Sequence, residues 1–151
     1  MVFVRGSASI CAARYGVVET VQSDIDVCAG AGFTVFDVAD IYILGDATMA
    51  FTNKSCSDFV KVPGFGAVSV GLGISFSKKT FRLSLEEAIQ IRSFSFLNKD
   101  DRGFATVFRT TLCPRYIVNP QYGLSVCALI EASYSASMFE LGFGLGGCIE
   151  V

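Results

Sequence analysis

Apolar side chains alternate with small or polar ones over long stretches, and this period of two constrains the fold more than any other feature of the sequence. In "GAVSVGLGISFS" (66–77) one face of an extended chain carries Val68, Val70, Leu72, Ile74 and Phe76. The opposite face carries only alanine, serine and glycine. The segments 124–135 and 139–151 repeat the pattern, and the glycines of the latter again share one face. Glycine weakens a strand, so these bare faces indicate close approach of another sheet, subunit or ligand.

Short alternating runs separated by turn residues predict a single all-β domain over residues 1–151 with little helix. We expect eight to ten strands in an antiparallel β-sandwich or jelly roll, with a closed barrel as the alternative. Lys78-Lys79 predicts a hairpin turn, and "NKDDRG" (98–103) and "VNPQYG" (118–123) predict further turns. The pattern also predicts a loop over 45–58, a bulge at Ser93, and a strand over 104–112 that ends near Pro114.

The composition is unusually apolar for a chain of this length. Hydrophobic residues make up 52% of the 151 positions and charged residues only 17%, whereas about 25% charged is usual in a globular domain. The chain therefore has more apolar surface than one free domain needs. We expect this surplus to be buried in a homo-oligomer, for which a trimer is the favoured form.

Several classes of function are disfavoured. The longest charge-free runs, 62–77 and 116–130, are too short for a membrane helix, and the first sixteen residues lack the apolar core of a signal peptide. The net charge is −2 with no basic run beyond Lys78-Lys79, so we expect no direct contact with nucleic acid. Histidine is absent, which removes imidazole bases and histidine-ligated zinc. We expect no enzyme activity, no cofactor and no catalytic residue.

Six cysteines stand at positions 11, 28, 56, 113, 127 and 148, too far apart in sequence for a zinc or redox motif. We interpret them mainly as reduced packing residues, with a disulfide left as the alternative. Carboxylates at 24, 26, 37, 40 and 46 could hold Ca²⁺, but solvated edge charges are the favoured interpretation. The same interpretation applies to Glu86-Glu87. The dinucleotide-like spacing of Gly142, Gly144 and Gly147 lacks a following helix and is interpreted as chance.

The segments "AGAGFTVFDVADIYILGD" (29–46) and "VKVPGFGAVSVGLGISFSKKTFRLSL" (60–85) resemble the small β-sandwich modules of tailed-bacteriophage head-decoration and fibre proteins. The resemblance implies a non-enzymatic structural protein of the virion, most simply a capsid-decoration (cement) protein. Its partners would be copies of itself and a major shell protein, with no membrane. It would assemble in the host cytoplasm.

Two other functions remain open at this point. Strands of about ten residues with large outward and small inward side chains also describe a transmembrane β-barrel. A soluble β-barrel with an apolar, ligand-binding lumen is the third hypothesis. We predict that the core or an interface contains Val70, Leu72, Ile74, Phe139, Leu141 and Phe143.

Overall fold

A computed structural model describes residues 1–15, 18–35, 38–52, 60–61, 67–96, 102–136 and 138–151. Almost all of these residues lie in nine β-strands. The first five are β1 (Val2–Tyr15), β2 (Val18–Val35), β3 (Ala39–Thr52), the two-residue β4 (Val60–Lys61) and β5 (Ala67–Lys78). The other four are β6 (Phe81–Phe96), β7 (Arg102–Asn119), β8 (Leu124–Tyr134) and β9 (Met138–Glu150).

The eight long strands form one closed antiparallel barrel. Their order around the barrel is β1-β2-β3-β5-β6-β7-β8-β9, and β9 pairs with β1 from Phe3 to Tyr15 to complete the ring. The short β4 pairs antiparallel with Ser95 and Phe96 at the end of β6. The prediction of an all-β antiparallel chain is confirmed, but the sandwich or jelly roll is wrong. A sandwich has two sheets with free edges, whereas here the first and last strands pair along nearly their whole length and abolish the edges.

The strands are staggered as they go round the barrel. A line of paired residues that starts at Cys11 returns to β1 at Met1, ten residues lower, after passing through Gly142, Glu131, Thr111, Glu86, Gly73, Tyr42 and Gly32. Such a stagger tilts the strands by about 40° from the barrel axis. An eight-stranded barrel has an interior just wide enough to be filled by side chains.

This narrow interior explains the bare faces of β5 and β9. A Cβ atom added to Gly73 would overlap the ring of Tyr42, and one added to Gly142 would lie 2.6 Å from Cys11 Sγ. Gly144 makes room for Ser9 in the same way. The glycines therefore face inward and leave space for larger side chains that project from neighbouring strands.

The connections divide the barrel into two different ends. At the turn end lie both termini and the short connections β2–β3, β5–β6 and β7–β8. The predicted Lys78-Lys79 hairpin is confirmed, with Lys79 in the left-handed region (φ 57°). The predicted 118–123 turn is also confirmed: a 3-10 turn (Pro120–Tyr122) ends at Gly123 with φ 60°. The loop end holds β1–β2, β3–β5, β6–β7 and β8–β9, and most of the predicted 98–103 turn lies outside the described residues.

Three local predictions are wrong. The predicted loop over 45–58 is strand as far as Thr52, and its remainder lies outside the described residues. Strand β7 continues past Pro114 to Asn119: pairing with β8 is interrupted there, but pairing with β6 is not, so the strand persists. The register between β6 and β7 is continuous through Ser93, without a bulge. Among the described residues, no helix is long and apolar enough to cross a membrane.

Candidate functional site

The barrel has a polar interior and an apolar exterior, the reverse of a water-soluble protein. Among the described residues, twenty-one polar or charged side chains are buried, and eleven of them are ionisable: Arg5, Asp24, Asp26, Asp40, Asp46, Glu86, Arg92, Arg109, Arg115, Glu131 and Glu140. Each lies on the inner face of its strand, because alternate residues of a strand point to the same side. We call this interior the lumen. An apolar lumen, as the soluble ligand-binding hypothesis requires, is therefore wrong.

The buried charges are held in ion pairs across the lumen. Arg5 on β1 donates to both carboxylate oxygens of Glu86 on β6, each at 2.7 Å, and both side chains are almost wholly buried. Tyr42 adds a hydroxyl donor to the same carboxylate at 2.9 Å. Such bidentate pairing compensates the charges of both groups inside the lumen, where water is scarce. Because β1 and β6 are opposite each other in the ring, this pair spans the lumen.

Two further guanidinium groups lie closer to the loop end. Arg109 pairs with Asp46 and lies 3.9 Å from Asp26. Arg92 pairs with Glu140, whose second oxygen it reaches at 3.3 Å. The side chains of these three ion pairs fill the cross-section of the barrel.

At the turn end the lumen opens into a cavity of about 210 Å³. Its polar wall is formed by Arg82, Arg115 and Glu150. Glu150 pairs with Arg82 and lies 3.8 Å from Arg115, and the Arg115 guanidinium also packs over the ring of Phe3 at 5.4 Å. Both arginines are thus already engaged by partners in the chain.

The outer wall carries most of the large apolar side chains of the long strands. Five of the six predicted core or interface residues are exposed there, from Leu141 at 44% to Val70 at 67%, and Ile74 is partly covered. These residues therefore do not line the lumen, and an interface through them stays a prediction. The surplus apolar surface expected from the composition lies on this wall.

Aromatic side chains form two belts on the outer wall, one near each end of the barrel. The turn-end belt consists of Phe33, Phe76, Phe81, Tyr116 and Tyr122. The loop-end belt consists of Phe51, Phe104, Phe108, Tyr134 and Phe139, with Phe108 and Tyr134 stacked at 5.8 Å. Because the strands are tilted, the segment from Phe139 to Ile149 advances about 25 Å along the barrel axis, which is the height of the apolar band in barrels that span a membrane.

Glu87 is the only charged residue that the described strands point outward between these two belts. It pairs in register with Thr110, which lies six residues from both Phe104 and Tyr116 and therefore midway between the belts. The hydroxyl of Thr110 donates to Glu87 at 2.8 Å. The hydrogen bond partly compensates for a carboxyl group on an otherwise apolar wall.

The acidic residues singled out from the sequence do not lie at solvated edges. Asp24, Asp26, Asp40 and Asp46 are all buried in the lumen, and Asp37 lies outside the described residues. The edge-charge interpretation is wrong for these four because inward positions of a closed sheet are enclosed. Glu86 faces the lumen as well, whereas Glu87 faces outward.

Five cysteines are buried with free thiols, at positions 11, 28, 113, 127 and 148, while Cys56 lies outside the described residues. This arrangement agrees with their interpretation as reduced packing residues. The structure also brings Cys11, Asp24 and Glu140 together, although they are distant in sequence. The triplet Gly142, Gly144 and Gly147 lies inside β9, a paired strand, and therefore not in the strand-to-helix turn that phosphate binding requires.

Comparison with known proteins gives structural similarity only. No protein-family model matches the chain, and no curated protein sequence matches it. Among solved structures, the crystal structure of Neisserial surface protein A matches with a TM-score of 0.70 and 12% identity, covering 99% of this chain and 97% of that one. Ail, the attachment invasion locus protein of Yersinia pestis, matches with a TM-score of 0.65 and 12% identity over 98% of this chain and 96% of its own.

These similarities overturn the virion interpretation. The fold is shared with a bacterial surface protein and an attachment protein, not with phage decoration proteins. The predicted capsid-decoration function, the virion location, the shell-protein partner and the absence of a membrane are therefore wrong. The resemblance of segments 29–46 and 60–85 to β-sandwich modules led to a wrong prediction because alternating, glycine-rich strands occur both in sandwiches and in barrels.

Proposed function

We propose that this chain is a membrane-spanning β-barrel of the bacterial outer-membrane type. The observation that carries the proposal is the reversed polarity, an apolar outer wall between two aromatic belts around a charged lumen. An apolar wall about 25 Å high matches the hydrocarbon layer, and a closed barrel leaves no backbone hydrogen-bonding group exposed to lipid. The similarity to a bacterial surface protein agrees with this location.

The barrel serves as a closed wall rather than as a channel. The pairs Arg5–Glu86, Arg109–Asp46 and Arg92–Glu140 cross the lumen at successive levels, so ions have no continuous water-filled path through the described interior. We propose a non-enzymatic role, because Glu86, Asp46 and Glu140 in the lumen are held by guanidinium groups rather than available as acids or bases. The short turns face the periplasm and the loop end faces outward, as in other barrels of this type.

The test is insertion into lipid. Chain unfolded in urea is diluted into preformed phospholipid vesicles, which are then floated through a density gradient and washed with alkaline carbonate. We expect the chain to float with the vesicles, to resist the wash, and to migrate differently on a gel before and after boiling. In planar bilayers the inserted chain is expected to give no stepwise currents.

A chain that remains soluble and monodisperse without lipid or detergent, and that fails to float, would contradict insertion. Regular stepwise currents would contradict the closed lumen while leaving insertion intact. The two parts of the proposal are therefore tested separately.

A further inference from the structure

A compact set of metal-ligand side chains lies in the lumen near the loop end. One ligand atom from each of Cys11, Asp24 and Glu140 lies within 4.8 Å of the others, and all three residues are buried. Gln22 completes the set: its amide nitrogen lies 3.2 Å from Asp24 Oδ2 and 3.0 Å from Glu140 Oε2. Three adjacent strands, β9, β1 and β2, contribute these four residues.

The spacing of these atoms matches the edges of a tetrahedral zinc site. Bond lengths of about 2.3 Å to sulfur and 2.0 Å to oxygen place tetrahedral ligands about 3.5 Å apart for a sulfur–oxygen edge and about 3.3 Å for an oxygen–oxygen edge. Cys11 Sγ lies 3.5 Å from Asp24 Oδ2. The Gln22 amide nitrogen lies 3.2 Å from Asp24 Oδ2 and 3.0 Å from Glu140 Oε2, close to the oxygen–oxygen edge of about 3.3 Å. Rotation of the carboxamide by 180° would put the Gln22 oxygen, which can bind a metal, where the nitrogen now lies.

The charge of the group also suits a divalent cation. Two carboxylates and a thiolate carry three negative charges, and the guanidinium of Arg92, which pairs with Glu140, contributes one positive charge. The remaining charge of −2 is neutralised by one divalent ion. Arg92 leaves room for the metal: once the Gln22 carboxamide has rotated, Glu140 Oε2 keeps the hydrogen bond from Arg92 and offers its second lone pair to the ion.

Two buried side chains of the lumen, Asp24 and Gln90, have polar atoms without a hydrogen-bond partner. Asp24 Oδ1 is buried and has no hydrogen-bond partner. Gln90 is wholly buried, and both polar atoms of its side chain lack partners. Gln90 shares the inner face of β6 with Arg92, two residues away, and Arg92 reaches across the lumen to Glu140. Gly142 keeps space open beside the thiol, since a Cβ there would lie 2.6 Å from Cys11 Sγ.

We propose that Cys11, Asp24 and Glu140, with Gln22, bind one divalent cation of the zinc class inside the barrel. The thiolate favours Zn²⁺ or Cd²⁺ over Ca²⁺ and Mg²⁺, which prefer oxygen ligands alone. On binding, the thiol proton of Cys11 is released to solvent as the sulfur–metal bond forms. The site goes beyond the proposed function and requires only the barrel fold.

The probe is Cd²⁺, added to the reduced, refolded chain in detergent micelles while the ultraviolet thiolate-to-cadmium absorption is followed. We expect one Cd²⁺ per chain, release of about one proton, and displacement of the Cd²⁺ by Zn²⁺. C11S should abolish the absorption, and D24N and E140Q should weaken binding at least about tenfold. C28S, which alters another buried lumenal thiol, serves as the matched control and should change the affinity less than about twofold.

Gel mobility before and after boiling verifies that each variant is folded. If C11S misfolds, D24N still tests the site, because asparagine has the same shape as aspartate. Absorption that persists in folded C11S, unchanged affinity in folded D24N, or no binding by the wild type at millimolar Cd²⁺ would overturn the site. None of these results affects vesicle flotation, so failure of the metal site and failure of membrane insertion are distinguishable.

Discussion

Replacing Arg5 with methionine is expected to lower the free energy of unfolding by about 3–5 kcal/mol. The substitution leaves the Glu86 carboxylate in the lumen without the guanidinium that now donates to both of its oxygens. Tyr42 still donates one hydrogen bond, but a single neutral donor cannot replace a paired charge. The measurement is urea unfolding of the refolded chain in detergent micelles, followed by far-ultraviolet circular dichroism.

The double variant R5M/E86M tests whether the loss comes from the unpaired charge. Because both charges are then removed and methionine fills similar volume, most of the stability should return. K78M, at an exposed position beside a turn, is the control and should change stability by less than about 0.5 kcal/mol. If R5M matched the wild type, or if the double variant were no more stable than R5M, the lumenal ion pair would not have the role assigned to it.

Replacing Val70 with arginine is expected to destabilise the chain in phospholipid vesicles by about 2–4 kcal/mol. Val70 faces outward and pairs with Gly45 and Ile89, which lie at the middle of β3 and β6. An arginine there would lie near the centre of the hydrocarbon layer. Urea titration of the vesicle-inserted chain gives the change in free energy.

Leu124 provides the matched position, because it also faces outward but begins β8 at the turn end. L124R should cost only about 0–1 kcal/mol, since its guanidinium reaches the headgroup region. A water-exposed wall would tolerate both substitutions equally, because surface changes in water cost about 0.5 kcal/mol or less. Equal small effects at the two positions would therefore contradict a wall that faces lipid.

The strands and several turns could be predicted from the sequence because their signals are local. The alternation in β5, β8 and β9 and the turn residues at 78–79 and 118–123 are read from neighbouring residues. Closure is not local: it depends on pairing between β1 and β9, more than a hundred residues apart, and alternation alone fits both a sandwich and a barrel. The same pattern does not specify which face of the sheet is buried.

The lumenal site was missed for the same reason. Cys11, Asp24 and Glu140 have no shared spacing in sequence, and the stagger of the strands brings them together. One signal was available: the inward set of alternating residues includes Arg5, Asp24, Asp26, Glu86 and Glu131, which an interior of a soluble sandwich would not accept. Charged residues on the small-residue face, opposite an unbroken apolar face, indicate a barrel that is polar inside.

The most direct test of the lipid-facing wall uses a single introduced tryptophan, because the chain contains none. V70W and Y122W are inserted into vesicles whose acyl chains carry bromine, a fluorescence quencher, at either deep or shallow positions. If the wall faces lipid, V70W emits at short wavelength and is quenched most by deep bromine, while Y122W, in the turn-end belt, is quenched most by shallow bromine. Quenching of V70W by aqueous iodide, with no effect of either brominated lipid, would contradict a lipid-facing wall.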